Sequence, residues 1–143
     1  MPYSILDDIK KLVPEETIVQ LTDDEGVGVV NQPRVDEAIA QADAEIDSYC
    51  GGRYTVPFAT VPDIVKKCSI DIAIYNLYSR TVEEIPQTRA DRYRNAIRQL
   101  EGISKGNISI GEDPPPSAAS QGSQTPDITS AGRIFSRTKL EDM

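Results

Sequence analysis

The sequence predicts an all-α protein: a small helical bundle of about four to five helices, with a short β-like arm and a flexible C-terminal tail. Two observations carry this. Apolar residues recur at three- and four-residue spacing through most of residues 1–104, and Gly or Pro punctuates each such run. A third sets the organisation. The Gly-rich stretch GISKGNISIG ends the patterned region and a Pro/Ser/Gln-rich segment follows, giving a helical domain over 1–111, a disordered tether over 112–131 and a docking segment over 132–143.

Near the N-terminus, Ile5, Leu6, Ile9, Leu12 and Val13 have helical spacing, and Ser4 followed by Asp7 approximates a capping box. Pro14-Glu15-Glu16 opens a second short helix whose acids suit the positive end of its dipole, with Ile18, Val19 and Leu21 apolar. Asp23-Asp24-Glu25-Gly26 to Gln32 reads as a solvated loop, since its acids do not have EF-hand spacing. The next helix is expected over 33–50, with Val35, Ala38, Ile39, Ala42, Ile46 and Tyr49 on one stripe. Pro33 suits its first position, and Gly51-Gly52 are expected to supply a left-handed C-cap. Val56-Pro57 and Val61-Pro62 then hold the chain extended, because a residue before proline is pushed out of the α region.

A helix over 62–80 has two apolar stripes. Ile64, Val65, Cys68, Ile72 and Tyr75 form one, while Ile70, Ile74 and Leu77 lie on roughly the opposite side. Both must be covered, so this helix is either central in its own chain or carries a subunit interface on the second stripe. After Glu84-Ile85-Pro86 a helix is expected over 87–104, with Ala90, Tyr93, Ala96, Ile97, Leu100 and Ile103 apolar and Arg89, Arg92, Arg94 and Arg98 on its flanks. The expected partners of these cations are Asp36, Asp43 and Asp47; contact with phosphates is the competing reading. Residues 102–111 are too rich in Gly for helix, and the alternation at Ile108 to Ile110 suggests the arm. Beyond the tether, Arg133, Ile134, Phe135, Arg137, Lys139 and Leu140 combine cations with large apolar side chains, the composition of a segment that orders on a partner, with a disordered tail carrying incidental apolar residues as the alternative.

Composition excludes several function classes. The formal net charge of −8 argues against free nucleic-acid or anionic-membrane binding, and proteins are the expected partners. There is no histidine, which removes the commonest general base, the usual nucleophile triads and most zinc chemistry. No P-loop or dinucleotide fingerprint occurs. Catalytic, metal and cofactor sites are therefore expected to be absent; a carboxylate-based metal enzyme is the remaining enzymatic alternative. Cys50 and Cys68 read as unpaired thiols. The N-terminus lacks a signal-peptide order and no apolar run reaches membrane length, so a cytoplasmic setting without membrane contact is expected.

Taken together, AIAQADAEIDSYCGGRYTVPFATVP, DIAIYNLYSR, RYRNAIRQLEGISKGNISIG and GRIFSRTKL resemble the head-tail adaptor, or head-completion connector, proteins of Mu-like tailed bacteriophages and prophages, over nearly the whole chain. The resemblance implies a structural virion protein in the neck, assembled in the host cytoplasm as a homo-oligomeric ring, a dodecamer, below the portal. It implies that DNA passes the channel without specific binding and that a downstream neck or tail protein sits on the far side. Portal docking would map to Arg133, Ile134, Phe135, Arg137 and Leu140, and the subunit interface to Ile70, Ile74 and Leu77. A stopper or tail-completion protein is the neighbouring alternative, and a small helical DNA-binding regulator the more distant one.

Overall fold

The computed structural model describes residues 1–81 and 84–111; the expected tether and docking segment lie outside the described residues. Five helices make up the described chain, and among those residues there is no strand: α1 (Leu6–Lys10), α2 (Glu15–Thr22), α3 (Gln32–Cys50), α4 (Asp63–Thr81) and α5 (Gln87–Lys105). The all-α bundle is as expected. Its β-like arm is not: Ile108 and Ile110 fold back on the bundle, with Ile110 buried and Ile108 packed against the core, and helix α5 continues through Gly102 to Lys105.

α4 is the axis of the molecule, packing against α3 and α5 most extensively and also against α2 and α1. This placement explains its two stripes. Val65, Cys68, Ile72, Ala73, Ile74 and Leu77 are all buried, whichever side of α4 they occupy. The second stripe therefore divides: Ile74 and Leu77 are each 1% exposed and belong to the core of their own chain, while Ile70 is only partly buried. Two of the three residues assigned to a subunit interface thus have no surface left to offer a second copy. Hydrophobic burial of this kind contributes roughly 1.5–3 kcal/mol per large aliphatic side chain, and Ile9, Ile18, Ile46, Leu100 and Ile103 join the same core.

The helix ends correct four local expectations. In α1 the N-cap is Ile5, and Asp8, not Asp7, accepts the Ile5 N–H at 3.1 Å; the helix stops at Lys10, leaving Leu12 partly exposed. Asn31 caps α3 by accepting the Arg34 N–H at 3.3 Å, so Pro33 lies one position deeper than expected. Gly51 is right-handed, with φ −62°, so the helix does not end on a left-handed cap. Glycine is required there by close approach: a Cβ would lie 2.8 Å from the Asp47 carbonyl oxygen. The left-handed cap belongs to α5, where Gly106 has φ 81° and Asn107 N–H donates to the Gly102 carbonyl at 2.8 Å.

Candidate docking surfaces

Three surface features are built by the fold. The first starts from Tyr3, whose ring is buried against Phe58 at 5.8 Å between centroids. Its hydroxyl donates to Asp47 and accepts the Phe58 N–H at 3.1 Å, while its backbone N–H donates to Asp43 at 3.0 Å. Ser69 of α4 also donates to Asp43, at 2.7 Å, and the Ser4 hydroxyl lies 2.8 Å from that of Ser69. Two carboxylates on one edge of α3 thus fasten the N-terminal segment to both α3 and α4. Burial pushes the Asp43 carboxyl above its ordinary range despite the two donors, and burial together with Asp47 raises the Tyr3 phenol.

Fastening residues 3–4 leaves a groove between that segment and α3. Met1, Pro2, Ser4, Ile5 and Leu6 form one wall and Gln32, Asp36, Ile39, Ala40 and Asp43 the other, around a volume of about 440 Å³. Ile39 is buried and makes the floor; Ile5 is 52% exposed. Asp36 takes a 2.7 Å hydrogen bond from Gln32 on one oxygen.

The second feature lies toward the C-terminal half of α3. Glu45, Tyr49, Tyr93, Arg94, Ile97, Arg98 and Glu101 line a depression of about 360 Å³ between α3 and α5. Tyr93 donates to Glu45 at 3.1 Å and stacks on Tyr75 with 4.0 Å between centroids; burial pushes its phenol up to about 12. The floor is aromatic and apolar. Its rim holds two acids and two arginines.

The third is the loop joining α2 to α3, expected to be merely solvated. Arg34 grips Glu25 with both guanidinium nitrogens at 2.7 and 2.8 Å, and Arg80 pairs with Asp24 at 2.8 Å while donating to the Leu21 carbonyl. Asp23 accepts the N–H groups of Gly28 and Val27, and those bonds hold its carboxyl below the usual range. Hydrogen bonds from Arg80 and Arg34 do the same for Asp24 and Glu25. The braced loop presents Val27 and Val29, 70% and 60% exposed.

The cationic flank of α5 does not meet Asp36, Asp43 and Asp47. Those acids face the N-terminal segment, whereas Arg92 pairs with the buried Asp71 at 3.5 Å, Arg94 with Asp91 at 3.1 Å, and Arg89 donates to the Leu12 carbonyl at 3.0 Å. The sequence pattern of α5 and α3 does not reveal this rotation about the helix axes. Lys66 and Lys67, read as solvated, pair with Asp8 and Asp71 at 3.4 and 3.0 Å. Cys50 and Cys68 are free and buried, and burial pushes both thiols up to about 11. Arg133, Ile134, Phe135, Arg137 and Leu140 lie outside the described residues. Tyr3 and the groove it creates had no signature in the sequence, because a lone Tyr near a terminus carries no periodicity.

The family model described as Bacteriophage Mu, Gp36 matches residues 3–126. The chain belongs to the bacteriophage Mu Gp36 family. One Gp36-type relative is the Mu-like prophage FluMu protein gp36 of Haemophilus influenzae, 39% identical over 82 residues, which are 57% of this chain and 56% of that protein. Another is gene product J of Escherichia phage Mu, 30% identical over 103 residues, covering 71% of this chain and 70% of that protein. The Gp36 match begins at Tyr3 and takes in all five helices, but stops before Arg133. The groove walls and the cationic segment therefore stand differently to the family: the first lie almost wholly within the matched residues, the second beyond them.

Proposed function

We propose that this protein is a head-tail adaptor: a non-enzymatic virion component of the phage neck that joins capsid to tail. In this role copies of the helical body form a ring below the portal and extend the DNA channel. The arm at 133–140 docks on the portal, and a neck or tail protein binds the opposite side. The observation that carries this reading is membership of the Mu Gp36 family over residues 3–126, in a chain whose motifs resemble Mu-like adaptors. Two further features support it. The chain is acidic, with net charge −8, so a channel wall made of it would repel DNA and let it pass. In addition, Arg89, Arg92 and Arg94 already have partners within the chain, which leaves less of that flank for phosphates than a DNA-binding regulator would need.

The deciding experiment is a pull-down by tagged portal protein from the same phage. Full-length protein is expected to be retained, and protein lacking residues 131–143 to be lost, with the two giving the same helical circular dichroism. Electron microscopy of lysates without the protein should show DNA-filled heads and separate tails. Retention of the truncated protein would remove the arm from the mechanism; intact virions formed without the protein would remove the adaptor role itself.

A further inference from the structure

The groove between the N-terminal segment and α3 has an exposed apolar wall, an apolar floor and acid on its rim. Both oxygens of Asp43 are already engaged, by Tyr3 and Ser69, so its contribution is mainly structural. Asp36 is exposed, with one oxygen bonded to Gln32 and no partner on the other among the described residues. Asp7, exposed and adjacent in sequence to the lining residue Leu6, adds negative charge on the N-terminal side. No Lys or Arg lines the groove, and the terminal ammonium at Met1, near Asp43, offsets a single charge. The occupant this surface suits is an apolar segment carrying several cations and no acid.

The chain contains such a segment. GRIFSRTKL, residues 132–140, holds Ile134, Phe135 and Leu140 with Arg133, Arg137 and Lys139, and no Asp or Glu. We propose that in the free protein this segment seats in the groove of its own chain, with large apolar side chains over Ile39 and Ile5 and a cation at Asp36. Reach permits it. The 20 residues of 112–131 can extend to about 65 Å, whereas a body of this size is about 35 Å across. A tether of that length holds its end at millimolar effective concentration, so even a weak site fills. Charge selects this groove over the depression between α3 and α5, whose rim balances Glu45 and Glu101 against Arg94 and Arg98. Its volume, about 440 Å³, falls in the range of pockets that enclose small ligands or a few side chains. The proposal concerns the unassembled protein and holds whether or not the virion role does; if both hold, portal and groove compete for one segment.

The test uses the full chain with Ser136→Cys carrying a nitroxide. Cys50 and Cys68 are both fully buried and will not label in the native state. In nitrogen-15 spectra, the amide signals of Ile5, Leu6, Gln32, Asp36 and Ala40 are expected to lose more than half their intensity, while those of Arg98 and Glu101 keep theirs. Diluting the labelled protein tenfold into unlabelled protein should not change this. Asp36→Lys and Ala40→Lys, both at exposed positions, should each restore the groove signals without altering the thermal melt. Uniform or absent broadening, broadening lost on dilution, or no effect of either lysine would overturn the proposal.

Discussion

At the residue scale, two glycines do different work, and only one needs its special backbone freedom. Gly51 adopts an ordinary right-handed conformation and is glycine because the Asp47 carbonyl is too close for a Cβ. Gly106 combines φ 81° with the Arg53 guanidinium lying where a Cβ would stand. In Gly106→Ala the left-handed backbone is the main cost, since the end of the flexible Arg53 side chain can swing aside. The substitution is expected to lower unfolding free energy by about 1–2 kcal/mol, measured as the urea midpoint at unchanged slope. A loss under about 0.3 kcal/mol would mean that the cap relaxes freely. The carboxylates Asp43 and Asp47 illustrate the same context dependence: their spacing along α3 is that of a solvated helix edge, yet Tyr3 and Ser69 turn that edge into the anchor of the N-terminal segment.

At the scale of elements, the central issue is α4. A helix with apolar side chains on opposing faces must be covered on both, and here α3 and α5 supply most of the cover, with α2 and α1 closing the remainder. Leu77→Ala is accordingly expected to cost about 2–5 kcal/mol in the isolated chain, the usual range for an emptied leucine site in a core. Ile70→Ala, at a partly buried position, should cost clearly less. Equilibrium unfolding of both variants checks the order, and equal small effects would return Leu77 to the role of an interface residue. The α2–α3 loop is an element in its own right: Arg34 from α3 and Arg80 from the end of α4 brace it from two sides, which is how an exposed loop can hold Val27 and Val29 in a fixed position.

For the whole molecule, the balance of carboxylates predicts acid sensitivity. Asp23 is held low by the Gly28 and Val27 N–H groups, Asp24 by Arg80 and Glu25 by Arg34. At Asp8, desolvation acts upward but is outweighed by the Ile5 N–H, Lys11 and Lys66. A carboxyl whose folded pKa is depressed stabilises the fold above its unfolded pKa, and that stabilisation is lost as pH falls through the folded value. Asp43 has the opposite sign: its raised pKa favours the folded state at low pH, and that contribution disappears as pH rises through the raised value. Four groups oppose one. The thermal midpoint is expected to fall as pH drops from about 5 toward 2, below the ordinary carboxylate range, and a flat profile would show that these pairs contribute nothing to stability.

The sequence by itself determined the class of this protein and most of the helix extents, since spacing of Val35, Ala38, Ile39, Ala42 and Ile46 or of Ala96, Leu100 and Ile103 is a local property that survives any packing arrangement. It also carried the phage resemblance, in motifs that the Gp36 match now covers as far as residue 126. Tertiary structure alone decided what each polar edge faces. Arg92 meets Asp71 instead of an acid of α3, Ile74 and Leu77 turn inward while Ile70 stays near the surface, and Ile108 to Ile110 folds onto the bundle without forming a strand. These outcomes depend on how helices are rotated and brought together across tens of residues. Helical periodicity fixes which side chains share a face, but the neighbour that covers the face is set by the packing of the whole chain.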